Sequence, residues 1–276
     1  MRWVSRSFAA AIFLVAAAQA SAQPRSGRTQ TGIAFDVQGN GAAVVLITGS
    51  NLDRRMWARE AEWLSATHTV VRYDLRAHGA SDTATTPFRH VDDLFALLDE
   101  IGIQKVTLIG LSAGSTIALD AALTRPALVD RLILIGPAIS GFRSGSTLPF
   151  APALIAALQA RDYAKAGQVL LASSVFAAPA ESKQLVAQMV TENDRLWSVP
   201  REHVRPVEPP AIGRLSELRI PVLILLGERD LFQREEAELL ARQVADAAFV
   251  LVPEGGHLLN LTSPAEFRSE VSRFLR

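Results

Sequence analysis

Val106-Thr107-Leu108-Ile109-Gly110-Leu111-Ser112-Ala113-Gly114 decides the fold. Its apolar opening reads as a buried strand, and the Ala/Leu-rich stretch after it reads as a helix. Ser112 stands at the turn between them. Glycines two residues to either side let strand and helix approach without Cβ clashes. A serine in such a turn sits in strained backbone, its hydroxyl pushed out above a helix N-terminus whose N–H groups point outward. Glycine and serine are common, so the reading of this turn as a nucleophile elbow depends on what else the chain carries.

A nucleophilic serine needs a base to take its proton and a carboxylate to fix the tautomer of that base. Both occur later, each just past an apolar strand-like run. Pro221 to Leu226 leads into Gly227-Glu228-Arg229-Asp230, and Ala248 to Val252 leads into Pro253-Glu254-Gly255-Gly256-His257. The expected triad is therefore Ser112, Asp230 and His257, with Glu228 the competing acid. Each also has a plainer reading: a turn serine, an ion-paired or helix-capping acid, a loop histidine. The other histidines fit worse, since His68 precedes a strand, His90 begins a helix, His203 lies among prolines and His78 braces its own loop.

Around this centre the chain alternates strands and helices. Thr31 to Val37 reads as an edge strand, Gln38-Gly39-Asn40-Gly41 as a hairpin turn, and Ala42 to Ile47 as a strand buried on both faces. Trp57 to Ala66 has helical spacing, Val70 to Asp74 reads as a strand, His90 to Ile101 as an amphipathic helix, and Leu132 to Ile135 as another strand. Such alternation predicts an α/β fold with a mostly parallel sheet covered by helices on both faces. Between Pro137 and Pro210 the rhythm changes to short helical patterns at Leu154 to Gln159, Ala166 to Ala172 and Ser182 to Trp197, closed by prolines 200, 206, 209 and 210. This predicts a helical cap inserted between two sheet strands, with core segments at 23–136 and 211–276. Ser263, Pro264 and Glu266 predict a capping box at the start of the last helix.

Composition narrows the function classes. Met1-Arg2-Trp3-Val4-Ser5-Arg6, the apolar stretch Phe8 to Ala18 and Ala20-Ser21-Ala22 read as a secretory signal peptide over residues 1–22, too short in its apolar part to span a bilayer. Periplasmic or secreted placement is expected, with no stable membrane span once the leader is removed. The chain has no cysteine, which excludes disulfides, a thiolate nucleophile and zinc-thiolate sites. The 28 Lys and Arg balance the 28 Asp and Glu without a basic run, so no nucleic-acid partner is expected. Gly39-Asn40-Gly41 precedes a strand instead of following one and has Val44 where a last glycine would stand, which argues against a dinucleotide site. No metal-spaced cluster is evident, and no cofactor is expected.

With the elbow, the acid and the histidine in that order, the chain resembles the capped α/β-hydrolase superfamily from Thr31 to the C-terminus. Tyr73-Asp74-Leu75-Arg76-Ala77-His78-Gly79-Ala80-Ser81-Asp82 resembles that family's loop after the second parallel strand, and Leu46-Ile47-Thr48-Gly49-Ser50 its oxyanion loop. Within the superfamily it is most similar to enol-lactone hydrolases, small carboxylesterases and meta-cleavage-product hydrolases. Thr48, Ala77 and Ser115 depart from the family's usual histidine, glycine and second elbow glycine. The resemblance implies a serine hydrolase acting on a small ester or lactone through an acyl-enzyme, with backbone N–H groups of Ser50 and Ala113 forming the oxyanion hole. Carbon–carbon bond hydrolysis, cofactor-free haloperoxidase or perhydrolase chemistry, and a non-catalytic binding protein on the same fold are the alternatives. Arg54 and Arg55 stand where they could read a substrate carboxylate or simply be solvated. Phe150, Phe176, Met189 and Trp197 fit either the underside of the cap or its own core.

Overall fold

The computed structural model describes residues 24–145 and 148–276; the expected leader at 1–22 lies outside them. In chain order the elements are β1 (Arg25–Arg28), β2 (Ala34–Gln38), β3 (Ala42–Ile47), α1 (Ala58–Leu64), β4 (His68–Tyr73), α2 (His90–Glu100), β5 (Val106–Leu111), α3 (Ala113–Thr124) and β6 (Val129–Ile135). Then come α4 (Ala151–Gln159), α5 (Tyr163–Leu171), α6 (Ala180–Glu192), β7 (Val222–Gly227), α7 (Arg234–Gln243), β8 (Ala247–Val252), α8 (Leu259–Thr262) and α9 (Pro264–Leu275). Short 3₁₀ turns at Arg54–Trp57 and Asp194–Ser198 bear on the site below.

Eight strands form one sheet in the order β1-β2-β4-β3-β5-β6-β7-β8. Pairing is antiparallel from β1 to β2 and β2 to β4, and parallel from there on. The central strands are apolar where both of their faces are covered, as at residues 44–47, 108–111, 132–135 and 222–226, while the polar Asp130 and Arg131 lie at the less buried start of β6. Val45, Ile47, Leu108, Leu132 and Leu134 pack on the side of α2, α3 and α7. Val44, Leu46, Ile109, Ile133 and Ile135 pack against Trp57, Phe267 and Val271 on the other. The register matters most for the site. Ile47 lies beside Gly110, Leu111 beside Ile135, and Gly227 beside Val252, so these strands end together at one edge. Every loop leaving a parallel strand at that edge is a potential contributor to one site.

Three sequence expectations need correction. β2 is not at the edge: Arg25–Arg28, for which no strand was expected, forms β1 outside it, with Ser26 Oγ donating to Asp36 Oδ1 at 2.6 Å. Four residues with no apolar periodicity give no strand signal, yet an exposed edge asks for none. Gln38 to Gly41 is not a hairpin turn, because β4 lies between β2 and β3. Gly39 and Gly41, at φ 80° and 127°, instead carry the chain across the start of β4, and a side chain on Gly39 would meet the Ser65 backbone. The capping box does not form either. Ser263 ends α8, so its N–H donates to Leu259 O at 2.9 Å and is not free for Glu266; Pro264 does hold the first position of α9.

Between β6 and β7 the described residues form helices and turns and no strand. Leu170, Val186, Met189 and Val190 of α5 and α6 pack with Leu52 and Leu111, which anchors this segment over the strand ends. The elbow below it depends on a close backbone approach. A Cβ on Gly114 would sit inside the van der Waals radius of Ile47 O and 2.8 Å from Thr48 O. Gly114→Ala should therefore destabilise the fold by about 2–3 kcal/mol, the usual cost of overpacking against backbone that cannot step aside. The urea unfolding midpoint reads this, and an unchanged midpoint would contradict the contact.

Candidate active site

β5 delivers Ser112 at φ 54° and ψ −116°, a conformation that L residues other than glycine rarely adopt. Two features hold it there. Ser112 N–H donates to Ile135 O at 2.9 Å, continuing the pairing of β5 with β6, while Ser112 O accepts from Ser115 N–H at 2.8 Å and so starts α3. The chain must turn from strand to helix within one residue. Ser115, where the family often has glycine, fits because its Oγ donates to Gly110 O at 2.7 Å, which satisfies the hydroxyl inside the elbow.

Asp230 and His257 come from the loops after β7 and β8 and meet as a buried pair, 2% and 5% exposed, with His257 Nδ1 2.6 Å from Asp230 Oδ2. An ionised carboxylate accepts here, so the proton lies on Nδ1 and Nε2 is left free. Glu228 is elsewhere: its Oε2 accepts from Glu254 N–H at 3.1 Å on the exposed side of the same loops. Gly136, one residue past β6, packs beneath the pair. A Cβ there would lie 2.7 Å from Asp230 Oδ2 and 2.8 Å from His257 Nδ1, and its φ is 46°. Sequence reading passed over this glycine, although its place directly after a central strand was a signal.

The loop after β3 brings Gly49 against the elbow, where a Cβ would stand 3.3 Å from Ser112 Cβ, and exposes Ser50 beside it. Ala113 begins α3, so its N–H is among the first-turn donors without an intrahelical partner. Thr48 is fully buried and its hydroxyl has no partner among the described residues, so it does not brace the loop. The support comes from His78. Its Nε2 accepts from Asn51 N–H at 3.2 Å, and its Nδ1 donates to Ala77's neighbour Arg76 at the carbonyl, 2.9 Å away. Burial pushes the His78 pKa down, which keeps the imidazole neutral as this arrangement requires. His78 thus braces its own loop, as read from sequence, and the oxyanion-type loop as well. Ala77 takes φ 64° where the family's glycine would be unstrained.

Two cavities flank the elbow and share Ser50. One, of about 220 Å³, is lined by Ser112 and His257 and walled by Leu154, Leu170, Val175 and Phe176. The other, of about 370 Å³, takes Ala113, Thr116, Ile117 and Asp120 from one face of α3 and adds Ser140 and His90. Burial pushes Asp120 up to about 6, partly offset by the Ser140 hydroxyl that donates to it at 2.7 Å, and burial pushes His90 down to about 4. Both cavities are mainly apolar, and the second also carries the polar side chains of Thr116, Asp120, Ser140 and His90.

Of the other residues singled out in the sequence, Phe176 reaches the Ser112 cavity, whereas Met189 is buried in the core beneath it. Trp197 packs on Tyr163 and Phe150 on Phe232, away from Ser112. Arg54 and Arg55 are ion-paired, Arg54 mostly buried and Arg55 partly exposed. Arg54 pairs with Asp36 and Asp74, and Arg55 with Asp53 and Glu192. Among the described residues no group of three His, Cys, Asp or Glu side chains is placed to hold a metal ion, and no helix is long and apolar enough to cross a membrane.

Comparisons with known proteins agree with this architecture. A relative from Rhizobium rhizogenes named "Putative carbamate hydrolase RutD" is 26% identical over 260 residues, covering 88% of this chain and 97% of its own. Among solved structures, the esterase RhEst1 from Rhodococcus sp. ECU1013 superposes with a TM-score of 0.76 at 22% identity, covering 91% of this chain and 98% of that one. The enol-lactonase from Burkholderia xenovorans LB400 gives 0.73 at 20%, covering 91% and 99%. The model of the alpha/beta hydrolase family matches residues 44–270, and the chain belongs to that family.

Proposed function

We propose that this protein is a serine hydrolase that cleaves a small ester or lactone through an acyl-enzyme. The observation that carries the reading is the buried 2.6 Å contact of His257 Nδ1 with Asp230 Oδ2, facing a cavity that Ser112 also lines. With Nδ1 committed to Asp230, Nε2 is the only ring nitrogen able to take a proton from Ser112. Ser112 Oγ attacks the acyl carbonyl, His257 carries its proton to the leaving group, and Asp230 stabilises the imidazolium. Water, deprotonated by His257, then releases the acid. The tetrahedral oxygen is met by the N–H groups of Ser50 and Ala113, each such donor worth about 3 kcal/mol in the transition state. The positive end of α3 adds to them.

The two cavities suggest how a substrate is divided. The smaller, lined by Leu154, Leu170 and Phe176, suits a short apolar group. The larger, mainly apolar but carrying Asp120, Ser140 and Thr116, suits a longer group with a hydrogen-bonding end. The helical segment at 137–210 acts as the cap that closes both from above. A carbamate is the second reading, favoured by the Rhizobium relative's name, and needs no change in the machinery because its carbonyl is attacked in the same way. A panel of short esters, lactones and carbamates separates them.

A fluorophosphonate probe should label the protein once, at Ser112, and Ser112→Ala should abolish labelling while lowering turnover by about four orders of magnitude or more. Turnover above about a tenth of wild type in that variant would show that the elbow reading is wrong, whereas a wild type that neither labels nor turns over any substrate would leave a binding protein as the better reading. Asp230→Asn should lower kcat by several orders of magnitude by allowing the wrong imidazole tautomer, and Glu228→Gln should do far less. The reverse order would put Glu228 in the triad. Export with cleavage near Ala22 belongs to the same proposal: N-terminal sequencing of protein from the native host's periplasm or medium should begin near Gln23, and an intact Met1 would refute it.

A further inference from the structure

We propose that Asn193, at the end of α6, is a positioning residue that sets the oxyanion loop from the helical segment above it. The inference rests on the role given above to Ser50. Asn193 lies 142 residues from the loop in sequence and is fully buried. Its Nδ2 donates to Asn51 O at 3.4 Å and to Asp53 Oδ2 at 3.1 Å, and its Oδ1 accepts from Gly79 N–H at 2.6 Å. Both hydrogens of the amide nitrogen and its oxygen are therefore used. The amide is locked in one orientation, since a flip would set oxygen against two acceptors.

What it holds is a strained residue next to the proposed donor. Asn51 sits at φ 63°, and its two backbone polar groups are each gripped by a side chain from elsewhere: N–H by His78 Nε2, C=O by Asn193 Nδ2. His78 belongs to the loop after β4, and Asn193 also binds that loop through Gly79. The loop after β3, the loop after β4 and the end of α6 are thereby tied at one point. Thr48, the residue of the loop itself that could have served, has no partner among the described residues.

Other contacts cross the same junction, and burial decides between them. Arg55 bridges Asp53 and Glu192, and Arg195 donates to the carbonyls of Ala77, Gly79 and Ser81. The Arg55 and Glu192 side chains are 40% and 57% exposed, so water substitutes readily when their pair breaks. Arg195 touches only the loop after β4. Asn193 has no access to solvent, and removing it leaves the buried Asn51 carbonyl without a partner and takes one of its two donors from Asp53 Oδ2, which is the costly kind of loss. Burial of Asp53 opposes its charge, but hydrogen bonds from Arg55 and then from Asn193 outweigh that and hold its pKa below the ordinary range, so a charged acceptor faces Asn193 Nδ2.

Asn193→Leu keeps the approximate volume and removes all three bonds. Asn193→Ala is the second variant, because the room it leaves can admit water to the stranded groups and so favours folding. For whichever folds, with near-wild-type circular dichroism, kcat on the best ester or lactone should fall about 10- to 100-fold while KM changes less than about threefold. Inhibition by phenylboronic acid, which forms a tetrahedral adduct on the serine, should weaken by a similar factor. A folded variant of either kind with wild-type kcat and boronate affinity overturns the proposal, even if its melting temperature has dropped. If the wild type itself neither reacts with a fluorophosphonate nor turns over any ester, it is the serine-hydrolase reading that has failed instead.

Discussion

The contact of α3 with β3 and β5 at Gly114 and Gly110 is the constraint on which the rest of the site depends. A Cβ at either position would drive into backbone, of Ile47 and Thr48 in one case and of Gly114 and Ser115 in the other. With the helix that close, the chain has one residue in which to turn, and Ser112 takes φ 54° because no longer connection fits. The strain of such a residue, about 1–3 kcal/mol, is held by an apolar core on both faces of β5. The same closeness brings the first turn of α3, and its outward N–H groups, level with the loop after β3. The proposed nucleophile and oxyanion donors are thus set by one packing event.

Parallel pairing with aligned ends supplies the other half of the site. Because β6, β7 and β8 finish at the same edge as β5, a histidine five residues past β8 and an acid three residues past β7 fall within hydrogen-bond reach. Gly136 is part of this arrangement. β6 ends between Ser112 and the Asp230–His257 pair, and only a residue without a side chain lets the pair sit down against the strand end.

These relations explain which parts were legible in the sequence. The central strands were, since burial on both faces leaves an uninterrupted apolar run, and the positions of Ser112, Asp230 and His257 followed from counting past strand ends. β1 was not, because an edge strand of Arg25-Ser26-Gly27-Arg28 is shaped by pairing with β2 and has no pattern of its own. The glycines at 39 and 41 were read correctly as a turn and wrongly as a hairpin, since turn chemistry says nothing about which strand will lie between. Ser263 was read as a cap while it was already serving as the end of α8. Asn193 was invisible for a deeper reason. Its partners are a carbonyl, a carboxylate and an N–H more than a hundred residues away, and a buried amide at a helix end looks in sequence like any helix stop.

The departures from the family pattern resolve once the local partners are known. Ser115 replaces a glycine at no cost to the elbow, because its hydroxyl finds Gly110 O within the space available. Ala77 keeps the left-handed conformation that glycine would take freely, and the bonds that hold it are external, from Arg195 to its carbonyl and from its own N–H to Asp82 O. Thr48 is the substantive change. The buried Thr48 hydroxyl, without a partner among the described residues, adds no side-chain brace to the loop after β3, and the side chains that bond its Asn51 backbone come from the β4 loop and from the end of α6. A loop braced from two separate elements keeps its geometry only while both are in place, and one of those elements is the helical segment over the pocket. On the proposed reading, the alignment of Ser50 toward the elbow is coupled to the seating of α6, through His78 on one side of Asn51 and a buried amide on the other.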